Sequence, residues 1–240
     1  MVNVLIADDN IDYAITLMNY INEQNNNIRI CSIAKNGREV LEILNKDNDI
    51  DVVLLDYKMP ICNGKQVLDN IENKNKYIDS CIIISGELES AVELRDNNLV
   101  YSIISKTKTM YEINEKIKDL IKYKETTKYE ENIKNKIIKE VLYLGYDISH
   151  KGTQYLINTI HYIALNNNSI DNLEKYVYPI IAKKYGDNPK NVKGRINKET
   201  DNMYYNCEIE KLKRYFYLDI DIKPKVKYVI NIIINKINKM

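Results

Sequence analysis

The stretch Val52-Val53-Leu54-Leu55-Asp56-Tyr57-Lys58-Met59-Pro60 runs four apolar residues straight into a carboxylate and then to a proline. Ile82-Ile83-Ile84-Ser85 repeats the plan with a hydroxyl in place of the acid. A strand that is apolar at every position must be covered on both faces, the situation of a parallel strand between two layers of helix. Working outward, Val2–Ala7, Ile28–Ala34 and Leu99–Ile104 join Val52–Leu55 and Cys81–Ile84 as strand-like runs. Helical periods near 11–24, 37–46, 64–74, 87–97 and 109–123 separate them. Repeated βα units of this length predict a doubly wound α/β domain with five parallel strands, whose ligands bind where the strands end.

Those ends hold Asp8-Asp9, Asp56, Ser85 and Lys106. Three carboxylates brought together repel one another and resist ionising unless a cation sits among them. Hard oxygens suit Mg²⁺, the expected ion, with Ca²⁺ and Mn²⁺ as alternatives. The expected ligands are Asp9, Asp56 and the carbonyl of Lys58, with Asp8 acting through water. Asp56 is then a nucleophile able to form an acyl phosphate. The Lys106 ammonium neutralises charge in the transition state, and the Ser85 hydroxyl can hydrogen-bond the arriving phosphoryl group. Each feature alone is commonplace; an acidic pair at a strand end is most often just solvated. Their joint occurrence, in order and each at a strand terminus, carries the reading.

With Met59, Pro60 and Gly64 added, these residues make segment 2–123 resemble the receiver domains of bacterial two-component systems. The resemblance implies a flavodoxin-like fold and a histidine kinase or phosphotransfer protein as phosphoryl donor. It also implies a relay in which Ser85 moves toward the phosphoryl group and rearranges the face of helix four and strand five. Three features depart from that pattern. Thr107 follows the lysine where proline is usual, Ile103 stands where an aromatic switch residue is expected (the nearest is Tyr101), and Gly-Ala is missing before strand five.

Beyond residue 125 the pattern turns helical, with periods near 131–144, 151–166, 170–177, 180–185, 190–205, 208–217 and 225–238. Gly145, Ser169 as an N-cap, Pro179, Gly186 and Pro189 punctuate them. The expected domains are 1–124, a short linker at 125–131 or a helix running between domains, and 132–240, all-α. Charge changes along the chain as well. Residues 1–125 carry 15 Lys+Arg against 21 Asp+Glu, and residues 126–240 carry 20 against 13, so an acidic half precedes a basic one. The basic half points to a polyanion as partner.

Within it, Tyr178–Val192 has helix-turn-helix form: a short helix ends at Gly186, and a second opens with Asn188 as cap and Pro189 behind it. Val192, Ile196, Thr200 and Met203 make an inward stripe at helical spacing. Lys190, Asn191, Lys193, Arg195, Asn197 and Lys198 form a cationic, amide-bearing surface suited to a major groove. Lys183 and Lys184, on the preceding helix, suit phosphates. A solvated basic helix on a bundle has the same pattern.

Residues 137–239 also resemble the effector domain of the stage-zero sporulation response regulators. Ile137-Ile138-Lys139-Glu140, Lys151-Gly152, Tyr155-Leu156, Tyr178–Tyr185, Val192-Lys193 and Lys223-Pro224 carry the likeness. It implies double-stranded DNA as ligand, a sigma factor and a homodimer as further partners, and a role in sporulation. Asn191 and Gly194 fall where that family presents arginines to bases, so the recognised sequence should differ. The stripe Val226, Val229, Ile230, Ile233, Ile237 reads as core, with a dimer seam as the alternative.

The remaining expectations are negative. Cys31, Cys62, Cys81 and Cys207 form no C-x-x-C, and with only His150 and His161 beside them there is no zinc cage. No secretory signal or membrane-length apolar run is present, so a cytoplasmic protein is expected. Residues 126–240 contain no nucleophile–base pair or Gly-rich phosphate loop, so the output is expected to bind and not to catalyse. The expected function is a phosphorylation-regulated transcriptional regulator. Its alternatives are a phosphorelay interaction protein with a non-DNA output and a DNA-binding regulator with a phosphorylation-insensitive receiver.

Overall fold

A computed structural model describes residues 1–24, 27–46, 49–73, 80–166, 172–217 and 223–239. The chain separates into two compact units, Met1–Lys124 and Glu125–Met240.

In the first unit, β1 (Val2–Ala7), β2 (Ile28–Ala34), β3 (Val52–Asp56), β4 (Ser80–Ser85) and β5 (Val100–Ser105) form one parallel sheet in the order β2-β1-β3-β4-β5. The all-apolar runs have the predicted cause. β3 is buried at every residue because both faces are covered. Val53, Leu55, Cys81 and Ile83 pack with α2 (Gly37–Lys46) and α3 (Gly64–Asn73) on one side. Val52, Leu54, Ile82 and Ile84 pack with α1 (Ile11–Gln24) and Ile113, Ile117 and Leu120 on the other. The strand order reverses between β1 and β3, and such a switch point opens a crevice beyond the strand ends.

The helix expected over 87–97 is shorter: α4 covers Leu88–Ala91 and a 3₁₀ turn follows at Val92–Leu94. Asn97 stops it by offering local alternatives to helical bonding: its side chain accepts from Leu99 N, and its carbonyl accepts from Val100 N. Segment 125–131, expected as a linker or an inter-domain helix, is helical. Together with the periods near 109–123 and 131–144 it forms one helix, α5 (Met110–Tyr143), in which no Gly or Pro interrupts the ladder.

The second unit is helical throughout its described residues: the end of α5, then α6 (Lys151–Asn166), a π-helical turn (Leu173–Val177), α7 (Tyr178–Tyr185), α8 (Pro189–Asn206), α9 (Ile209–Phe216) and α10 (Val226–Ile237). The period near 170–177 is thus a π turn where it is described; Tyr178 N bonds Leu173 O across it, and Leu173 and Val177 both reach the core. Ser169 lies outside the described residues. Gly145 and Gly186 close α5 and α7 at φ +85° and +60°. At each, the glycine N–H returns to the carbonyl three residues back and the next N–H to one five back (Leu142 and Val141; Lys183 and Ala182), the Schellman arrangement that only a left-handed residue permits. Val229, Ile230, Ile233 and Ile237 are buried in this unit's core, with Val226 partly buried beside them. All four cysteines are free thiols. No helix among the described residues is long and apolar enough to cross a membrane.

Candidate functional site

β1 and β3 carry their acids to the switch point. Asp8, Asp9 and Asp56 offer carboxylate oxygens that all lie within 4.8 Å of one another. Asp8 is 2% and Asp56 3% exposed, whereas Asp9 is open to solvent. Lys106, fixed at the end of β5 by its backbone N–H bond to Ser85 O (2.9 Å), reaches across to both buried acids. Its Nζ lies 2.8 Å from Asp8 Oδ2 and 2.8 Å from Asp56 Oδ2. Asp8 Oδ1 also accepts from Asn10 N (2.9 Å), and Asp56 Oδ1 from Lys58 N (3.2 Å). Burial raises the Asp56 carboxyl above its ordinary range, helped by the charge of Asp8 and opposed by Lys106 and Lys58 N–H. Burial pulls the Lys106 ammonium down, but its bonds to Asp56 and Asp8 outweigh this and leave it raised. One ammonium against three carboxylates leaves negative charge in a half-buried crevice of hard oxygens. That donor set fits a small divalent cation.

Ser85 stands at the same edge, 1% exposed, and its hydroxyl is engaged by the backbone of Glu87. Oγ donates to Glu87 O and accepts from Glu87 N, both at 3.0 Å. Lys58 Nζ pairs with Glu87 Oε1 at 2.5 Å, while its backbone N–H bonds Asp56. Sequence reading missed Tyr13: its ring centroid is 5.6 Å from Lys106 Nζ, and its buried hydroxyl has no hydrogen-bond partner among the described residues. Its place in the first turn after Asp8-Asp9 was the available signal.

Tyr101 cannot substitute for the missing aromatic. β5 shifts register between its pairs Cys81↔Val100 and Ile82↔Ser102, so Tyr101 is the bulged residue. A bulge displaces the alternation. Ile103 packs on the α2–α3 side, while Tyr101 packs on the α1–α5 side, with its ring 5.6 Å from that of Tyr123.

In the second unit α7 and α8 meet at the Gly186 turn. Val192, Ile196, Thr200 and Met203 are buried as one stripe, and Asn188 Oδ1 caps α8 by accepting from Asn191 N (2.9 Å). Lys183, Lys184, Lys190, Asn191, Lys193, Arg195, Asn197 and Lys198 are all exposed. They do not form one uniform face. Lys190, Gly194 and Lys198, at i, i+4 and i+8, lie opposite the buried stripe. Lys193 and Asn197 lie on one flank, and Asn191 and Arg195 on the other, toward α6. Among the described residues, four of the eight already have intramolecular partners: Lys184 bonds Asn158 Oδ1, Asn191 bonds Asp187 Oδ1 and Lys193 bonds Glu174, each at 2.8 Å, and Arg195 Nε pairs with Asp187 Oδ2 at 4.0 Å.

Asp187 organises the turn and was not singled out from sequence. It accepts from Tyr155 OH (2.6 Å), Asn191 Nδ2 and the Asn188 N–H, and lies 3.5 Å from Lys151 Nζ. The Tyr155 bond first, then those from Asn191 and Asn188, hold its carboxyl far below the usual carboxylate range. A depressed folded value contributes stability above the unfolded pKa and loses it on acidification. Asp187→Asn should therefore destabilise the protein at neutral pH, and the gap to wild type in urea melts should narrow below about pH 4, near the ordinary Asp value. A gap independent of pH would deny the carboxylate this role.

Two family models match the chain. Residues 4–118 match the response regulator receiver domain, and residues 135–237 match the sporulation initiation factor Spo0A C terminal. Solved structures similar to the chain include the receiver domain of the Francisella response regulator 1452 (24% identity over 52% of this chain and 99% of that one, TM-score 0.45). A response regulator receiver domain protein from Clostridium thermocellum (24%, 53% and 99%, 0.45) is another. A third is the receiver domain of AraT from Geobacillus stearothermophilus (25%, 52% and 99%, 0.42).

Proposed function

Because the chain belongs to the response regulators, a receiver domain over residues 4–118 followed by a sporulation-initiation-factor C-terminal domain over 135–237, we propose that Asp56 is the residue through which phosphorylation governs its binding to DNA. The observation that carries this is the meeting of Asp8, Asp9, Asp56 and Lys106 at the β1/β3 switch point.

The chain is a phosphorylation-regulated transcription factor of two-component type, and its receiver implies a kinase or phosphotransfer partner. In the proposed step an Asp56 carboxylate oxygen attacks the phosphorus of a phosphohistidine on that partner. The new O–P bond forms as the P–N bond breaks, and the imidazole leaves with the electron pair and takes a proton from solvent. Lys106, already hydrogen-bonded to Asp56, follows the charge onto the phosphoryl oxygens. Asp9, Asp56 and the Lys58 carbonyl, with Asp8 through water, would hold Mg²⁺, which when bound neutralises charge on the same oxygens. Ser85 exchanges its bond to Glu87 O for one to the phosphoryl group, and that movement loosens the loop into α4. Ile103 fills the space the family gives to an aromatic ring, so the relay ends on an aliphatic side chain.

The output half works by charge and shape: α8 enters a major groove with Lys190 and Lys198 foremost, while α7 offers Lys183 and Lys184 to phosphates. Titrating duplex DNA with the full chain tests this. Binding at low salt is expected, with log affinity falling against log salt at a slope of about −4 or steeper as several lysines release counterions. Absence of binding at low salt, with and without acetyl phosphate, would sink the DNA reading and favour a protein as the output partner.

A further inference from the structure

One flank of α8, carrying Lys193 and Asn197, borders a cavity of about 390 Å³ whose other lysines lie outside the helix-turn-helix. Leu173 and Tyr178 contribute to its wall, and four lysines line it: Lys193 from α8, and Lys223, Lys225 and Lys227 from the chain entering α10. Two acids share the lining, Glu174 and Asp201. Glu174 holds Lys193 at 2.8 Å and Asp201 holds Lys223 at 2.6 Å. These bonds pair two of the four ammoniums with the two carboxylates and leave Lys225 as surplus positive charge in the lining. Lys225 has no ion-pair partner among the described residues, and its side chain is exposed. A concave surface with surplus positive charge concentrates field lines on whatever anion fits it.

Position identifies the anion. Lys193, Asn197 and Thr200, which line the cavity, belong to the helix that presents Lys190 and Lys198 outward. A helix lying in a major groove, roughly 12 Å wide, has a sugar–phosphate strand along each flank. On the opposite flank α6 packs so closely that Gly152 faces the Arg195 carbonyl. The cavity is thus on the side where a strand would pass.

We infer that this pocket seats a backbone phosphate of the duplex whose major groove holds α8, so that α10, outside the helix-turn-helix, grips the DNA as well. The inference rests on the DNA-binding reading above. Glu174 and Asp201 keep Lys193 and Lys223 oriented at the rim, so a phosphodiester meets ammoniums already in place and pays less ordering cost. The contact carries no sequence information; it fixes how α8 lies in its groove.

The test uses the full chain with Lys225→Ala and the double variant Lys225→Ala/Lys227→Ala, and Lys198→Ala as a variant on the groove-facing side. Lys225 serves α10 through its carbonyl, which accepts from Tyr228 N and Val229 N, so alanine leaves those bonds intact. Anisotropy titrations on a preferred and a scrambled duplex should show roughly three- to ten-fold weaker binding for the double variant at low salt. The loss should be equal on both duplexes, with a salt slope shallower by about one for the lost phosphate. Wild-type affinity and slope in the double variant, while Lys198→Ala is weakened, would overturn the pocket and leave the helix-turn-helix reading standing. A wild type that binds no duplex overturns both. If inorganic phosphate alone is held by the wild type and lost in the double variant while duplex affinity stays unchanged, the pocket takes small anions and the inference fails.

Discussion

Asp56→Ala should take up no phosphoryl group from acetyl phosphate and Mg²⁺, where the wild type gains one. A carboxylate oxygen of Asp56 is the attacking atom, and alanine removes it while leaving Asp8 and Asp9 at the end of β1. Asp9, exposed on the same crevice, is the alternative acceptor if the assignment is wrong. Lys106→Ala should slow uptake by about 10²–10³-fold, the usual cost of removing a preorganised donor from developing charge. Intact-mass measurement over time reads both results. A phosphorylated Asp56→Ala chain would move the acceptor to another residue and undo the proposed chemistry.

Gly152→Ala and Gly194→Ala should move stability in opposite directions, although both add one methyl to a helix of the same unit. A Cβ on Gly152 would stand 2.7 Å from the Arg195 carbonyl oxygen and 2.6 Å from Glu199 Cγ. The Glu199 chain can swing aside, but the carbonyl belongs to the α8 backbone and moves only with the helix. Overpacking of this kind costs about 1–3 kcal/mol, and it should also weaken DNA binding by tilting α8 off the core stripe of Val192, Ile196 and Thr200. Gly194 has nothing within 4 Å of its Cβ position. Alanine there removes the helix penalty of glycine and should add up to about 1 kcal/mol. Thermal melts compare the pair directly. If Gly152→Ala melts with the wild type, the α6–α8 contact is looser than described and the groove-facing helix is not held by it.

Short-range chemistry made the elements legible in the sequence. β3 announced itself because an apolar run of four has no exposed face to spare. The turn at Gly186–Pro189 did so because one residue supplies positive φ and the other cannot continue a ladder. The stripe Val192, Ile196, Thr200, Met203 followed from period alone, and so did the core role of α10. Local rules also decide between the two readings of 125–131, since nothing in 122–131 breaks a helix and α5 runs through, and they explain why Asn97 ends a helix sooner than the period near 87–97 suggested.

What depended on contacts between distant residues had to come from the fold. Lys106 touches Asp8 and Asp56, 98 and 50 residues away, only because the β2-β1-β3-β4-β5 order lays those strand ends side by side. The turning of the Ser85 hydroxyl to Glu87, the bulge that sends Tyr101 to the wrong face, the room denied at Gly152 and the gathering of Lys193 with Lys223–Lys227 all depend on packing between segments. Periodicity and caps are set by neighbours within a turn or two, and the sequence determines them directly. Side-chain direction and the sharing of charge across the chain follow from how whole elements are stacked, which the tertiary structure alone decides.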